Sequence, residues 1–186
     1  MDQRGLVERA QRGDHDAFAV LASASIARLD AAARLILRDG ELARDAVQEA
    51  MVRSWRDLPT LRDVDRFDAW LHRLLVNACL NMMRRRRRRA IEVELTPILI
   101  PMTADFTSDV VDRDLLDRGL RALEPSWRAI VVLHYFLGMP LPEVASALGI
   151  PLGTAKSRLH YALRAMRMTV TGEAEPSPTV AGGQIA

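Results

Sequence analysis

Between Thr154 and Arg164 the chain carries Thr154, Lys156, Ser157, Arg158, His160, Tyr161 and Arg164. Hydroxyl and guanidinium groups can hydrogen-bond base edges, and basic flanks can hold phosphates. At helical spacing, Thr154, Ser157, Arg158 and Tyr161 share one face, with Lys156, His160 and Arg164 toward its sides. Ala155, Leu159, Ala162, Leu163 and Met166 form the opposite, apolar face. A second group is the run Arg84 to Arg89, which can neutralise several phosphates and give salt-sensitive, sequence-independent affinity. Both patterns have a plain alternative, a helix whose polar face meets only water. Nothing in the sequence assembles a catalytic site. The four His are scattered, Cys79 is the single cysteine, and there is no Gly-rich phosphate loop. His134 and His160 lack ligand-type neighbours, so no metal, no cofactor and no enzymatic activity are expected.

The elements that must position these groups are helical. Val and Ile do not alternate with polar residues over any long stretch, and Gly and Pro are sparse before the tail. The expected fold class is all-α: two small helical domains joined by a flexible linker, the C-terminal one containing a helix-turn-helix. A short helix around Leu6, Val7 and Ala10 precedes one capped by Asp14. That second helix carries Phe18, Leu21, Ile26, Leu29 and Leu35 inward, and Gly40 suits the left-handed residue that ends it. A third spans about Glu41 to Asp57, stopped by Pro59. A fourth is capped by Asp65, buries Phe67, Trp70, Leu71, Leu74, Leu75, Ala78 and Met82, and ends in the arginines.

The domain expectation is 1–89, an acidic linker 90–107 with Pro97 and Pro101, a second domain 108–170 and a disordered tail 171–186. In the second domain Pro125 opens a helix that Gly138 ends. Pro142 to Leu148 is the first helix of the helix-turn-helix, Gly149-Ile150-Pro151 its turn, and the reading helix begins near Gly153.

Charge follows the same division. The net charge of +2 hides +5 over residues 1–89, −4 over 90–113, +3 over 114–170 and −2 in the tail. Two basic modules around an acidic connector suit a polyanionic partner. One cysteine, and no apolar stretch of signal-peptide or membrane-spanning length, lead to the expectation of a soluble cytoplasmic protein without stable membrane insertion.

Two segments together resemble a known family. Ala43-Arg44-Asp45-Ala46-Val47-Gln48-Glu49-Ala50-Met51-Val52-Arg53-Ser54-Trp55, followed by Phe67-Asp68-Ala69-Trp70-Leu71-His72-Arg73-Leu74-Leu75-Val76-Asn77-Ala78-Cys79, resembles the first conserved domain of extracytoplasmic-function (ECF) sigma factors. Gly149 to His160 resembles their C-terminal promoter-reading helix, and the order and separation also match. The resemblance implies a transcription-initiation subunit that binds core RNA polymerase and recognises −10 and −35 promoter DNA. It further implies control by an anti-sigma factor.

By the same resemblance Asp45, Gln48 and Glu49 bind the coiled coil of the polymerase clamp. The −10 contacts fall on Thr60, Arg62, Asp63, Asn77, Arg84 and Arg85, within a neighbourhood whose loop receives an unstacked base. The −35 contacts fall on Thr154, Lys156, Ser157, Arg158, His160, Tyr161 and Arg164. Trp55, Phe67 and Trp70 read as aromatic core. Asn81 stands where the family often has Asp, and Tyr161 and Leu163 stand where arginines are frequent. Two other readings share the pattern: a helix-turn-helix regulator that binds its operator alone, and a module that occupies polymerase without initiating.

Overall fold

The computed structural model describes residues 2–92 and 110–171. Every regular element among them is helical. The first module holds α1 (Gln3–Gln11), α2 (His15–Leu37), α3 (Gly40–Asp57) and α4 (Phe67–Glu92). The second holds α5 (Val110–Arg121), α6 (Pro125–Val131), α7 (Leu141–Leu148) and α8 (Leu152–Thr171). Two 3-10 turns, Leu58–Thr60 and Val64–Arg66, join α3 to α4, and a π turn, Val132–Phe136, extends α6. The acidic connector, apart from the last turn of α4, lies outside the described residues. So does the tail beyond Thr171.

Local chemistry sets most helix ends. Asp14 accepts the Ala17 N–H at 3.0 Å and starts α2, as its residue type predicts. Pro125 takes the first turn of α6, where its missing N–H costs nothing. Gly149 adopts φ +65° after α7, which frees the chain to turn into α8.

Several expectations are corrected. The α2–α3 corner is turned by Arg38 at φ +56°, and Gly40 is the first residue of α3. Asp39 makes this possible by accepting the N–H groups of Glu41 and Leu42, each at 3.1 Å. The cap before α4 is Asp63 rather than Asp65: its carboxylate takes the Asp65 N–H at 3.1 Å and opens a 3-10 turn that leads into the helix. Helix α4 continues past the expected end at Arg89 to Glu92. Ile26 is not inward but 48 % exposed; Ala32, Ala33 and Ile36 join Leu21 and Leu29 among the buried residues of α2.

Burial of Leu29, Phe67, Leu71 and Leu75 forms the centre of the first module, and of Ile130, Leu133 and Val144 the centre of the second. Gly119 matters for the second: a Cβ there would stand 3.2–3.4 Å from Met166, so its absence lets α5 lie close on α8. The modules do not stand apart. Helix α7 packs on α4, and α6 with its π turn packs on α2. The buried apolar residues form one continuous cluster across both modules.

Candidate nucleic-acid interface

Helix α8 is anchored by Ala155, Leu159 and Ala162, which are buried. Lys156, Ser157, His160, Tyr161 and Arg164 are exposed, and Thr154 and Arg158 are half-buried at the margins. All seven polar residues expected to read the −35 element therefore lie on this one helix away from its buried stripe. Ser157 Oγ donates to the Gly153 carbonyl at 3.1 Å, so its lone pairs face outward as acceptors. Tyr161 is 52 % exposed, but its ring is braced. The Trp127 ring of α6 lies stacked on it at 6.2 Å between centroids, and His160 meets it edge-on at 5.7 Å. Trp127 is the residue that the sequence did not reveal here, because α6 joins α8 only through the tertiary fold.

The loop between α3 and α4 is held from below. Gln11 of α1 donates to the carbonyls of Leu58, at 3.2 Å, and Leu61, at 2.7 Å. Arg4 pairs with Asp65 at 3.1 Å, and Gln3 donates to Asp68 at 2.9 Å. Helix α1 thus acts as a brace that fixes where the loop presents its side chains. Thr60, Arg62 and Asp63 are exposed on that loop. Thr60 donates its hydroxyl proton to the Asp57 carbonyl at 2.6 Å, which leaves it an acceptor.

These three residues line a cleft of about 560 Å³ together with Arg66, Trp70 and Arg73. Arg66 and Arg73 are basic members that the sequence reading missed; both follow the loop at helical spacing on the α4 side. Asn77 is half-buried one turn beyond Arg73 and outside the cleft. Arg84 and Arg85 are exposed further along α4, seven and eight residues past Asn77, so they form a separate basic end rather than part of the cleft. Arg86 is tied to the α3 cap, Asp39, at 3.2 Å. Phe67 and Trp70 are buried as core, while Trp55 is half-buried and packs against His15 and Phe18.

Asp45, Gln48 and Glu49 line a second, shallow depression on α3 with Val52, Arg53 and Arg56. Asp45 and Gln48 are exposed; Glu49 is half-buried and paired with Arg53 at 2.5 Å. Val52, 62 % exposed, places an apolar spot in the middle of this charged face. The carboxylates and amide can accept from a basic partner while Val52 offers a dry contact.

Other groups are structural. Burial pushes the Cys79 thiol up to about 12, which keeps it protonated and unreactive. Arg128 is buried, donates to the Leu123 carbonyl at 3.2 Å and has Nε and Nη1 without partners; burial lowers it to about 10. Among the described residues no group of three or more His, Cys, Asp and Glu could hold a metal ion, and no helix is long and apolar enough to cross a membrane.

Comparison with known proteins identifies both modules. Residues 21–89 match the family described as Sigma-70 region 2, and residues 113–166 match Sigma-70, region 4. The chain is 36 % identical to an RNA polymerase sigma-E factor of Streptomyces coelicolor over 135 residues, covering 73 % of this chain and 75 % of that one. It is 34 % identical to the ECF RNA polymerase sigma factor SigL of Mycobacterium tuberculosis, covering 71 % and 76 %. Among solved structures, CnrH in complex with the cytosolic domain of CnrY superposes with a TM-score of 0.66 at 26 % identity, over 92 % of this chain and 99 % of that one. The sigma factor RpoE of Bartonella quintana, in complex with the anti-sigma factor NepR, shares the fold at a TM-score of 0.72 and 21 % identity, over 84 % and 98 %.

Proposed function

The chain belongs to the ECF sigma factors of RNA polymerase, and on that premise we propose which of its surfaces performs each part of the task. It is a transcription-initiation factor that binds core polymerase and directs it to promoters. The exposed polar face of α8 reads the −35 element through Thr154, Lys156, Ser157, Arg158, His160, Tyr161 and Arg164. The braced loop and α4 engage the −10 element through Thr60, Arg62, Asp63 and Asn77. Arg84 and Arg85 hold phosphates beside it. Asp45, Gln48 and Glu49 dock on the polymerase clamp, with Val52 added on account of its exposure between them.

The first module runs to the end of α4 at Glu92 and the second from Val110, with the acidic segment as their connector and the last residues as a tail. The protein carries no catalytic site of its own and works in the cytoplasm. Because CnrH and the Bartonella RpoE are each solved with a bound partner, and the latter's is an anti-sigma factor, this chain is also held by an anti-sigma protein.

The observation that carries this reading is α8: every polar residue expected to read the −35 element lies off the buried stripe of one helix in a helix-turn-helix. The test is run-off transcription with core polymerase on a genomic promoter library. Discrete start sites that need this chain are expected. Tight, specific promoter binding by the free chain at physiological salt, with no polymerase-dependent transcripts, would instead make it a stand-alone regulator.

A further inference from the structure

Gln11 is the last residue of α1, and its side chain leaves its own helix for the loop between α3 and α4. A side-chain amide has two protons to donate. Here the Leu58 carbonyl accepts at 3.2 Å and the Leu61 carbonyl at 2.7 Å. These two carbonyls stand at the ends of one 3-10 turn, which the Leu61 N–H closes on the Leu58 carbonyl at 3.0 Å. Thr60 lies between them, and Arg62 follows directly. The Leu61 carbonyl and the Arg62 N–H belong to one planar peptide unit. Holding that oxygen therefore fixes the plane from which Arg62 leaves the turn.

Other ties of this loop are local or exposed. Thr60 donates to the Asp57 carbonyl and Asp63 accepts from Asp65, contacts that shape the loop without placing it on the rest of the module. The Arg4–Asp65 pair does reach across, but its side chains are 57 % and 63 % exposed, and such pairs hold weakly. Leu58, fully buried, pins the start of the turn. Gln11, half-buried, pins its end.

Gln11 is itself well supported. Leu6, Val7 and Ala10 bury the inner face of α1, and Arg9 pairs with Asp14 at 2.7 Å across the corner that follows. Support thus runs from the core through α1 and Gln11 to Thr60 and Arg62, which line the cleft of about 560 Å³. Arg66 in the same cleft is oriented separately, by an ion pair with Glu143 of α7.

We propose that Gln11 is a positioning residue for −10 recognition: its two hydrogen bonds set where Thr60 and Arg62 stand, and so which base the loop prefers, without Gln11 touching DNA. This rests on the functional reading above, which places −10 contacts on this loop. A base drawn out of the stack is met best by groups already in place, because ordering them during binding consumes contact energy. Selectivity depends on this more than affinity does, since a loose loop adapts to several bases where a fixed one fits one.

The test is a series at position 11 in the full chain. Reconstituted holoenzyme transcribes from one library randomised across the −10 element and from another randomised across the −35 element. Gln11→Glu keeps the shape but turns an acceptor toward two carbonyls, Gln11→Met keeps the length without a donor, and Gln11→Lys restores donors. Gln11→Glu and Gln11→Met should each weaken the preference for the best base at one −10 position by about fivefold, the scale of one hydrogen bond. Gln11→Lys should recover most of it. The −35 logo, core binding in a pull-down and the helical circular dichroism signal should match wild type in all three. Adding Gln11→Met to Thr60→Ala with Arg62→Ala should flatten the −10 logo no further, because it acts through those side chains; additive flattening would overturn the proposal. So would a wild-type −10 logo in both Gln11→Glu and Gln11→Met, or a uniform fall in output with the logo intact, which is what a merely structural residue gives. A loss in Gln11→Lys equal to that in Gln11→Met would also overturn it. A wild-type chain that supports no −10-dependent transcription would overturn the functional reading and this proposal with it, whereas the other outcomes leave that reading standing.

Discussion

Tyr161 and His72 carry the sharpest consequences at the scale of single residues. Tyr161 has one hydroxyl and a ring braced by Trp127, so it can touch a thymine methyl or a phosphate but cannot make a two-point contact to guanine. Tyr161→Arg should shift the −35 preference toward guanine at one position by about 1–3 kcal/mol, and not raise output on all sequences alike. Transcription from a library randomised across the −35 element measures this; an unchanged sequence logo removes Tyr161 from the base-reading set. His72 concerns stability. Burial lowers its pKa, Asp68 opposes that shift, and Arg28 adds to it. The unfolded imidazole, with an ordinary value of about 6.5, therefore binds a proton that the folded one resists. Its contribution is complete above pH 6.5 and is lost as the pH falls from there through the depressed folded value. His72→Asn should flatten the pH dependence of the melting temperature as the pH falls below about 6.5. The lowered carboxylates Asp14, Asp57 and Asp117 act in a separate window, as the pH falls below the ordinary value of 3.8 toward their folded values.

At the scale of elements, two helices can be tested, one through its exposed face and one through its packing on a neighbour. Replacing Asp45, Gln48 and Glu49 together by Ala should leave α3 folded, since Ala is the best helix former and the buried side of α3 is Ala43, Ala46, Val47 and Ala50. Core binding in a pull-down should fall at least tenfold, a loss of about 1.4 kcal/mol or more; unchanged binding would move the clamp contact elsewhere. Gly119→Val forces a side chain against Met166 and should destabilise the second module by about 1–3 kcal/mol in urea titration. These elements also mark how far the sequence could be read. Asp14, Pro125 and Gly149 were legible because each cap acts on residues within a turn of itself. The core stripe of α4 was legible from its period, and the polar face of α8 likewise. Asp63 displaced Asp65 because a 3-10 turn intervenes, and no periodicity encodes that turn. Gln11 escaped notice because its acceptors lie 47 and 50 residues away. Trp127, Arg66 and Arg73 gain their places at the site from tertiary neighbours. Arg38 at φ +56° runs against the preference of the left-handed region for glycine, and its guanidinium reaches Asp117 in the other module.

At the scale of the whole molecule, the apolar cluster that joins the modules makes them one cooperative unit. Calorimetry of the free chain should give a single transition with matching calorimetric and van't Hoff enthalpies. Glu143→Arg should split or broaden it, and two well-separated transitions in the wild type would mean that the modules unfold independently. The joined cluster also bears on affinity. A partner that engages only parted molecules meets a minority of the population, and its apparent dissociation constant rises as the reciprocal of that fraction. If about one molecule in a hundred is parted, binding is weakened about a hundredfold, roughly 2.8 kcal/mol. A change such as Asp117→Ala, which breaks the pair with Arg38 between the modules, would then alter the affinity for such a partner through the fraction of parted molecules and without adding a contact to it.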